Sequence, residues 1–204
     1  MFSPPLRHLL TVLSLALLTA ATGRADNKPA EKAIDLKVGD PAPVFDTLDD
    51  QGKGWKAADH YGKKWVVIYF YPGDFTPGCI AQANAFRDAM NKLTDQGVEV
   101  VGVSGDSVQT HELFKKAQKL NFTLLSDEQG TLARRFGVPV GKGADVVKAK
   151  DPDGKPFEFK RPVTLSRWTF VVGTDGRVAY KNTKVTPAAD AKAITEFIAG
   201  AKKK

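Results

Sequence analysis

The stretch Trp65-Val66-Val67-Ile68-Tyr69-Phe70-Tyr71-Pro72-Gly73-Asp74-Phe75-Thr76-Pro77-Gly78-Cys79-Ile80 decides the fold in two halves. From Trp65 to Tyr71 every residue is apolar, β-branched or aromatic, which suits a central strand buried on both faces. Pro72-Gly73-Asp74 then breaks the run. Beyond the break, Thr76 stands where a helix N-cap belongs and Pro77 where a first helical residue belongs. Apolar residues follow at Ile80, Ala83, Phe86, Met90 and Leu93, at helical intervals, until Gly97 closes the element. A buried strand passing through a tight turn into a helix is half of an α/β unit. It also puts Cys79 in the first turn of that helix, where unpaired backbone N–H groups favour an anion.

Working outward, the same alternation continues. Val98 to Val103 reads as the next buried strand, Val108 to Leu120 as a helix, Phe122 to Leu125 as a strand and Thr131 to Phe136 as a short helix. Trp168 to Val172 is expected to pair with Val178 to Tyr180 across Gly173-Thr174-Asp175-Gly176, and Pro187 to Ala199 to close the domain as a helix. Upstream, Val44 to Leu48 followed by Asp49-Asp50-Gln51-Gly52 reads as strand and tight turn. The segment from Gly141 to Pro162, rich in Lys, Asp, Gly and Pro, reads as a long loop or a β-excursion. This order predicts an α/β fold of thioredoxin-like layout, a central mixed sheet flanked by helices, over residues 36–200.

The first 25 residues read as an export signal. Arg7 and His8 form a weakly basic start, Leu9 to Leu18 an apolar run, and Ala20-Ala21-Thr22-Gly23 a small-residue region before cleavage after Gly23 or Ala25. The run is too short to span a bilayer comfortably. Residues 26–35 read as a linker and 201–204 as a basic tail, and the expected location is the periplasm or beyond. Without Arg7 and Arg24, 28 basic side chains remain against 23 acidic ones. That excess is spread along the chain, and no basic stripe interleaves with stacking aromatics, so nucleic-acid binding is not expected.

Exported proteins usually pair their cysteines, because their surroundings oxidise them. This chain has one, Cys79. It is therefore an intermolecular partner, a reactive thiol or an inert buried side chain.

The residues around it narrow that choice. Pro72-x-x-x-Thr76-x-x-Cys79 resembles the active-site motif of the peroxiredoxins. The fuller Phe70-Tyr71-Pro72-x-x-x-Thr76-Pro77-Gly78-Cys79 resembles the Q-type subgroup, the bacterioferritin comigratory proteins. Val38-Gly39-Asp40-Pro41-Ala42-Pro43 is similar to a typical family opening, and Arg167-x-Thr169-Phe170-Val171-Val172-x-x-Asp175-Gly176 to a later family segment. The resemblance covers residues 36–199.

It implies a thiol peroxidase in which Cys79 attacks the peroxide and becomes a sulfenic acid. It further implies that Thr76 offers its hydroxyl to sulfur and peroxide, that Pro72 shields the thiolate, and that Arg167 holds its guanidinium near both. Each also has a structural reading: an N-cap for Thr76, a strand terminator for Pro72, a surface charge for Arg167. A free thiol is a few per cent ionised at neutral pH, so full ionisation gains about thirtyfold at most, and part is lost as nucleophilicity falls. Most of the acceleration must then come from aligning the O–O bond and stabilising the departing oxygen. Preorganised donors supply factors of about a hundred to a thousand each. Thr76, Arg167 and the backbone N–H groups near Gly78 and Cys79 are the candidates.

The chain departs from the subgroup at two positions. Asn84 stands where many relatives carry a resolving cysteine, five residues after the nucleophile, and Gln82 stands in place of a glutamate. With no second cysteine, the expectation is a one-cysteine mechanism. A small thiol or a thioredoxin-like protein would reduce the sulfenic acid, with no cofactor and no metal. A monomer or weak dimer is expected. The alternatives are a slow peroxide sensor or thiol-docking protein, and an inactive thioredoxin-fold binding protein. No Cys-x-x-Cys and no Gly-x-Ser-x-Gly is present, and Asp151-x-Asp153-Gly154 reads as a turn, too short for a calcium loop. His60 and His111 are expected on the surface, and Trp168 packed within its strand.

Overall fold

The computed structural model describes residues 34–203 together with Met1. Apart from Met1, the expected export signal lies outside the described residues, as does the expected linker up to residue 33. Among the described residues the strands are β1 (Asp46–Asp49), β2 (Gly54–Lys56), β3 (Trp65–Phe70), β4 (Val98–Ser104), β5 (Thr123–Ser126), β6 (Val140–Lys150), β7 (Pro156–Leu165), β8 (Trp168–Val172) and β9 (Val178–Asn182). The helices are α1 (Pro77–Asp95), α2 (Val108–Gln118), α3 (Thr131–Arg135) and α4 (Asp190–Ala201). Short 3-10 turns stand at Ala57–Asp59 and Pro187–Ala189.

Seven strands form one mixed sheet in the order β2-β1-β5-β4-β3-β8-β9. The pairs β3–β4 and β4–β5 are parallel, while β8 runs antiparallel to β3 with Ile68 opposite Phe170. The apolar run of β3 is thus explained by its place inside the sheet, covered on both faces. Its side chains alternate between two cores. Val66, Ile68 and Phe70 join Leu132, Phe136 and Phe170 on one face, whereas Val67 and Tyr69 join Phe86, Leu93, Phe114 and Ile194 on the other. The second core packs α1, α2 and α4 against the sheet; the first is closed by α3 and the segment around Phe45 and Trp55.

Helix α1 buries Cys79, Gln82, Ala83, Phe86, Met90 and Leu93 along one stripe. Ile80, expected inside, is half-buried, because the stripe is centred one position earlier and turns Cys79 and Gln82 inward. Gly97 follows the helix in the left-handed conformation, at φ +65°. Gly102 in β4 leaves the space that the Tyr69 ring fills; a Cβ there would meet that ring at 2.7 Å.

Residues 140–165 take the β-excursion of the two expected alternatives. Strands β6 and β7 form a long hairpin apart from the main sheet. It turns through Asp151-Pro152-Asp153-Gly154, where Asp151 Oδ1 accepts from the Asp153 and Lys155 amides and Gly154 has φ +82°. Most of the hairpin is exposed, but Arg161 is only 6% exposed. No helix among the described residues is long and apolar enough to cross a membrane.

Candidate active site

Strand β3 delivers Pro72 at the C-terminal edge of the sheet, and α1 begins there five residues later. Cys79 faces inward from the first turn of α1 and is 1% exposed. Its own amide donates to the Thr76 carbonyl at 3.0 Å, so that donor, a candidate for the departing oxygen, is already engaged. Opposite the sulfur, Arg167 stands at the entry to β8. Its Nη2 donates to Cys79 Sγ at 3.1 Å. The surface-charge reading of Arg167 therefore does not describe its position.

The Arg167 guanidinium is itself held. Its Nη1 donates to Gln82 Oε1, and Gln82 Nε2 donates to Asp190 Oδ2 at 2.7 Å. The same Oδ2 accepts from Thr169 Oγ1 at 2.7 Å. Gln82 and Asp190 are buried, so the Gln82 amide orientation follows from its neighbours: arginine can only donate, leaving the amide NH2 for the carboxylate. Burial raises the Asp190 pKa, partly offset by the hydrogen bonds from Thr169 and Gln82 and by the Arg167 charge. A glutamate at position 82 would set two carboxylates against each other. The departure from the subgroup at Gln82 thus has a structural partner in Asp190.

Thr76 has the extended backbone of an N-cap, with φ −93° and ψ 144°, but its side chain caps no helix amide. Its Oγ1 donates instead to the Gly73 carbonyl at 3.1 Å. A hydroxyl that donates once can still accept, so the lone pairs of Thr76 remain available to an O–H donor. Pro72 is half-buried between β3 and this loop. Between them, Phe75 adopts φ +60°, a conformation that costs a phenylalanine energy and persists only where surroundings fix it.

The surroundings are a buried polar cluster that sequence reasoning missed. Asp74 and Asp106 are both 0% exposed. Asp106 Oδ2 accepts from the Asp74 amide at 2.7 Å and from Ser104 Oγ at 2.8 Å. Asp74 accepts from the Tyr71 hydroxyl and pairs with His111 Nδ1, both at 2.8 Å. Arg161 enters from β7, its Nε donating to Asp106 Oδ1 and its Nη2 to the Asp74 carbonyl, each at 2.7 Å.

His111, expected on the surface, is thus fully buried. The signal was present: His111 lies three residues before Phe114, on the face of α2 that packs on the sheet. Burial opposes its charge, yet the Asp74 carboxylate, the hydrogen bond to it and Asp106 together raise its pKa above the usual value. Burial, joined by the Asp74 carboxylate, raises the Asp106 pKa, and Arg161 and His111 offset part of that. His60 is also not a free surface side chain. It pairs with Glu99 at 2.8 Å and stacks on the Trp55 ring at 4.3 Å. Trp168 packs partly buried against the first core, beneath Lys181.

Taken together, a sulfur at a helix start faces a fixed guanidinium, with a hydroxyl on the adjoining loop. That arrangement places donors around the sulfur that can hold a small polar molecule against it. Among the described residues no cluster of His, Cys, Asp and Glu is arranged to hold a metal ion.

Residues 38–181 match the model of the AhpC/TSA family. A peroxiredoxin bcp of Coxiella burnetii is 40% identical over 146 residues, which is 72% of this chain and 96% of that protein. The chloroplastic peroxiredoxin Q of Sedum lineare is 45% identical over 123 residues, 59% of this chain and 66% of that one. Among solved structures, the peroxidoxin BcpB of Mycobacterium tuberculosis superposes with a TM-score of 0.66 at 30% identity, covering 81% of this chain and 97% of that one.

Proposed function

Because the chain belongs to the AhpC/TSA family, the peroxiredoxins, we propose that Cys79 reduces hydrogen peroxide and organic hydroperoxides and is itself restored by an external thiol. The Cys79 thiolate attacks the terminal peroxide oxygen. An S–O bond forms, the O–O bond breaks, and the remaining oxygen leaves as water or an alcohol after taking a proton. Sulfur has lost two electrons and is a sulfenic acid. One external thiol displaces water from it to give a mixed disulfide, and a second releases Cys79 and leaves as the donor disulfide. No second cysteine in the chain can take the donor's place.

The observation that carries the reading is the 3.1 Å contact of Arg167 Nη2 with Cys79 Sγ, on a guanidinium fixed from behind by Gln82 and Asp190. A guanidinium held there donates to the sulfur and sits where the peroxide oxygens must lie. In this account Thr76 accepts the peroxide O–H while it donates to Gly73, and Pro72 limits access of water to the sulfur. Every group named comes from one chain, so a monomer suffices for the chemistry.

The test is turnover with a small-thiol donor in the wild type and in Cys79→Ser. Peroxide consumption is expected in the first alone, and turnover by the serine variant contradicts the reading. The N-terminal pattern of residues 1–25 further supports export to the periplasm. Intact mass of protein recovered from the cell envelope, shorter by that segment, is the expected result; a full-length cytoplasmic product rejects export.

A further inference from the structure

The hairpin β6–β7 lies apart from the main sheet and contributes none of the residues that touch Cys79, yet one of its side chains is buried beneath the loop that leads to it. Arg161 donates from Nη2 to the Asp74 carbonyl, while Asp106, which accepts from Arg161 Nε, also accepts from the Asp74 amide, all at 2.7 Å. Both backbone groups of Asp74 are therefore gripped by two side chains that grip each other. The approach is close: a Cβ on Gly73 would overlap the Arg161 guanidinium, so glycine alone fits there. The neighbouring residue is held by the same strand. The Phe75 ring, on a backbone at φ +60°, packs against Phe157 at 5.4 Å and Phe159 at 6.0 Å. The Gly73 carbonyl, next in line, is the acceptor that aims the Thr76 hydroxyl.

We propose that Arg161 is a positioning residue for the peroxidase reaction, fixing the Gly73–Thr76 loop from the hairpin so that the Thr76 hydroxyl faces the peroxide. The inference rests on the function proposed above. Arg161 touches neither sulfur nor substrate; it acts through Thr76. Its planar fork is what the position needs, because one guanidinium reaches a carboxylate and a carbonyl together, and a lysine ammonium on its flexible stem does not reproduce that fork.

The experiment measures the second-order rate of Cys79 oxidation by hydrogen peroxide, at a temperature where near-UV circular dichroism shows each protein folded. The proteins are the full chain, Arg161→Met, Thr76→Val and the double variant. Misplacing a reacting group by about 1 Å costs about a hundredfold, so Arg161→Met is expected to slow oxidation by about ten- to a hundredfold. In the Thr76→Val background the same change is expected to cost less than about threefold, because the group it positions is already gone. A purely structural role would lower the melting temperature without that loss of additivity. An Arg161→Met rate within about twofold of wild type overturns the proposal, as does a penalty undiminished beside Thr76→Val. Should Arg161→Met not fold, Arg161→Lys carries the same comparison: slowing that vanishes beside Thr76→Val supports the proposal, and an unchanged rate overturns it. A wild type oxidised no faster than free cysteine removes the peroxidase reading and this inference with it, whereas a fast wild type with an equally fast Arg161→Met removes this inference alone.

Discussion

Asp190 Oδ2 accepts a hydrogen bond from Gln82 Nε2 at 2.7 Å, and the other end of the same amide accepts from Arg167. A residue of the C-terminal helix thereby sets the orientation of the guanidinium that touches Cys79. Replacing Gln82 by Glu puts two buried carboxylates in contact, and one must hold a proton or repel the other. The paired carboxyls would titrate above their unfolded values, so the stability of Gln82→Glu should fall as pH rises from about 4. A loss of about 1–3 kcal/mol relative to wild type is expected at pH 7.5. Denaturant melts at pH 5 and 7.5 check this, and Gln82→Glu combined with Asp190→Asn should recover most of the loss.

Arg167 makes two contacts with one planar group, so Arg167→Lys is not conservative. A lysine could reach the sulfur or Gln82, without the fixed fork that joins them. The peroxide rate constant is expected to fall by about a hundred- to a thousandfold, the usual worth of a preorganised donor. Stopped-flow tryptophan fluorescence measures it.

Thr76→Val keeps the shape of the side chain and removes only the hydroxyl. The helix should persist, since Thr76 caps no amide through its side chain, and the melting temperature should change little. Oxidation of Cys79 should slow by about a hundredfold, while Thr76→Ser should retain most of the wild-type rate.

His111, held by the Asp74 carboxylate, makes stability depend on pH in a definite direction. The folded-state pKa of His111 is raised. Its contribution is fully present below the unfolded value of about 6.5 and is lost as pH rises through the folded one. Asp106, also raised, adds loss in the same direction at lower pH. Melts of a Cys79→Ser background, where no thiol titrates, should show stability declining above about pH 6.5. Adding His111→Gln should flatten that decline; a Cys79→Ser profile already flat across the window contradicts the assignment.

The nucleophile and its frame were legible because they are local. Trp65 to Tyr71 read as a doubly buried strand, Pro72 to Asp74 as its end, and Cys79 as a first-turn helical residue, each from neighbours along the chain. The partners that orient the site were not, because they meet only through the fold. Asp190 lies 108 residues from Gln82, and Arg161 lies 55 residues from Asp106. Arg161 looked like one more charge in a polar, glycine-rich stretch, and nothing in the spacing of residues 141–162 marks the single position that turns inward. His111 differs, since its helical phase with Phe114 pointed inward. Its burial became intelligible only once Asp74 supplied a counter-charge.

If its surroundings activate Cys79 as a nucleophile, the sulfur must outrun a free thiol. Reduced protein mixed with one equivalent of hydrogen peroxide, followed by stopped-flow fluorescence and intact mass, tests it most directly. Oxidation orders of magnitude faster than that of a free thiol is expected, with a gain of about 16 Da, one oxygen, on the peptide carrying Cys79. Oxidation at the free-thiol rate would contradict it, and would mean that the sulfur and guanidinium, though 3.1 Å apart, do not form a working site.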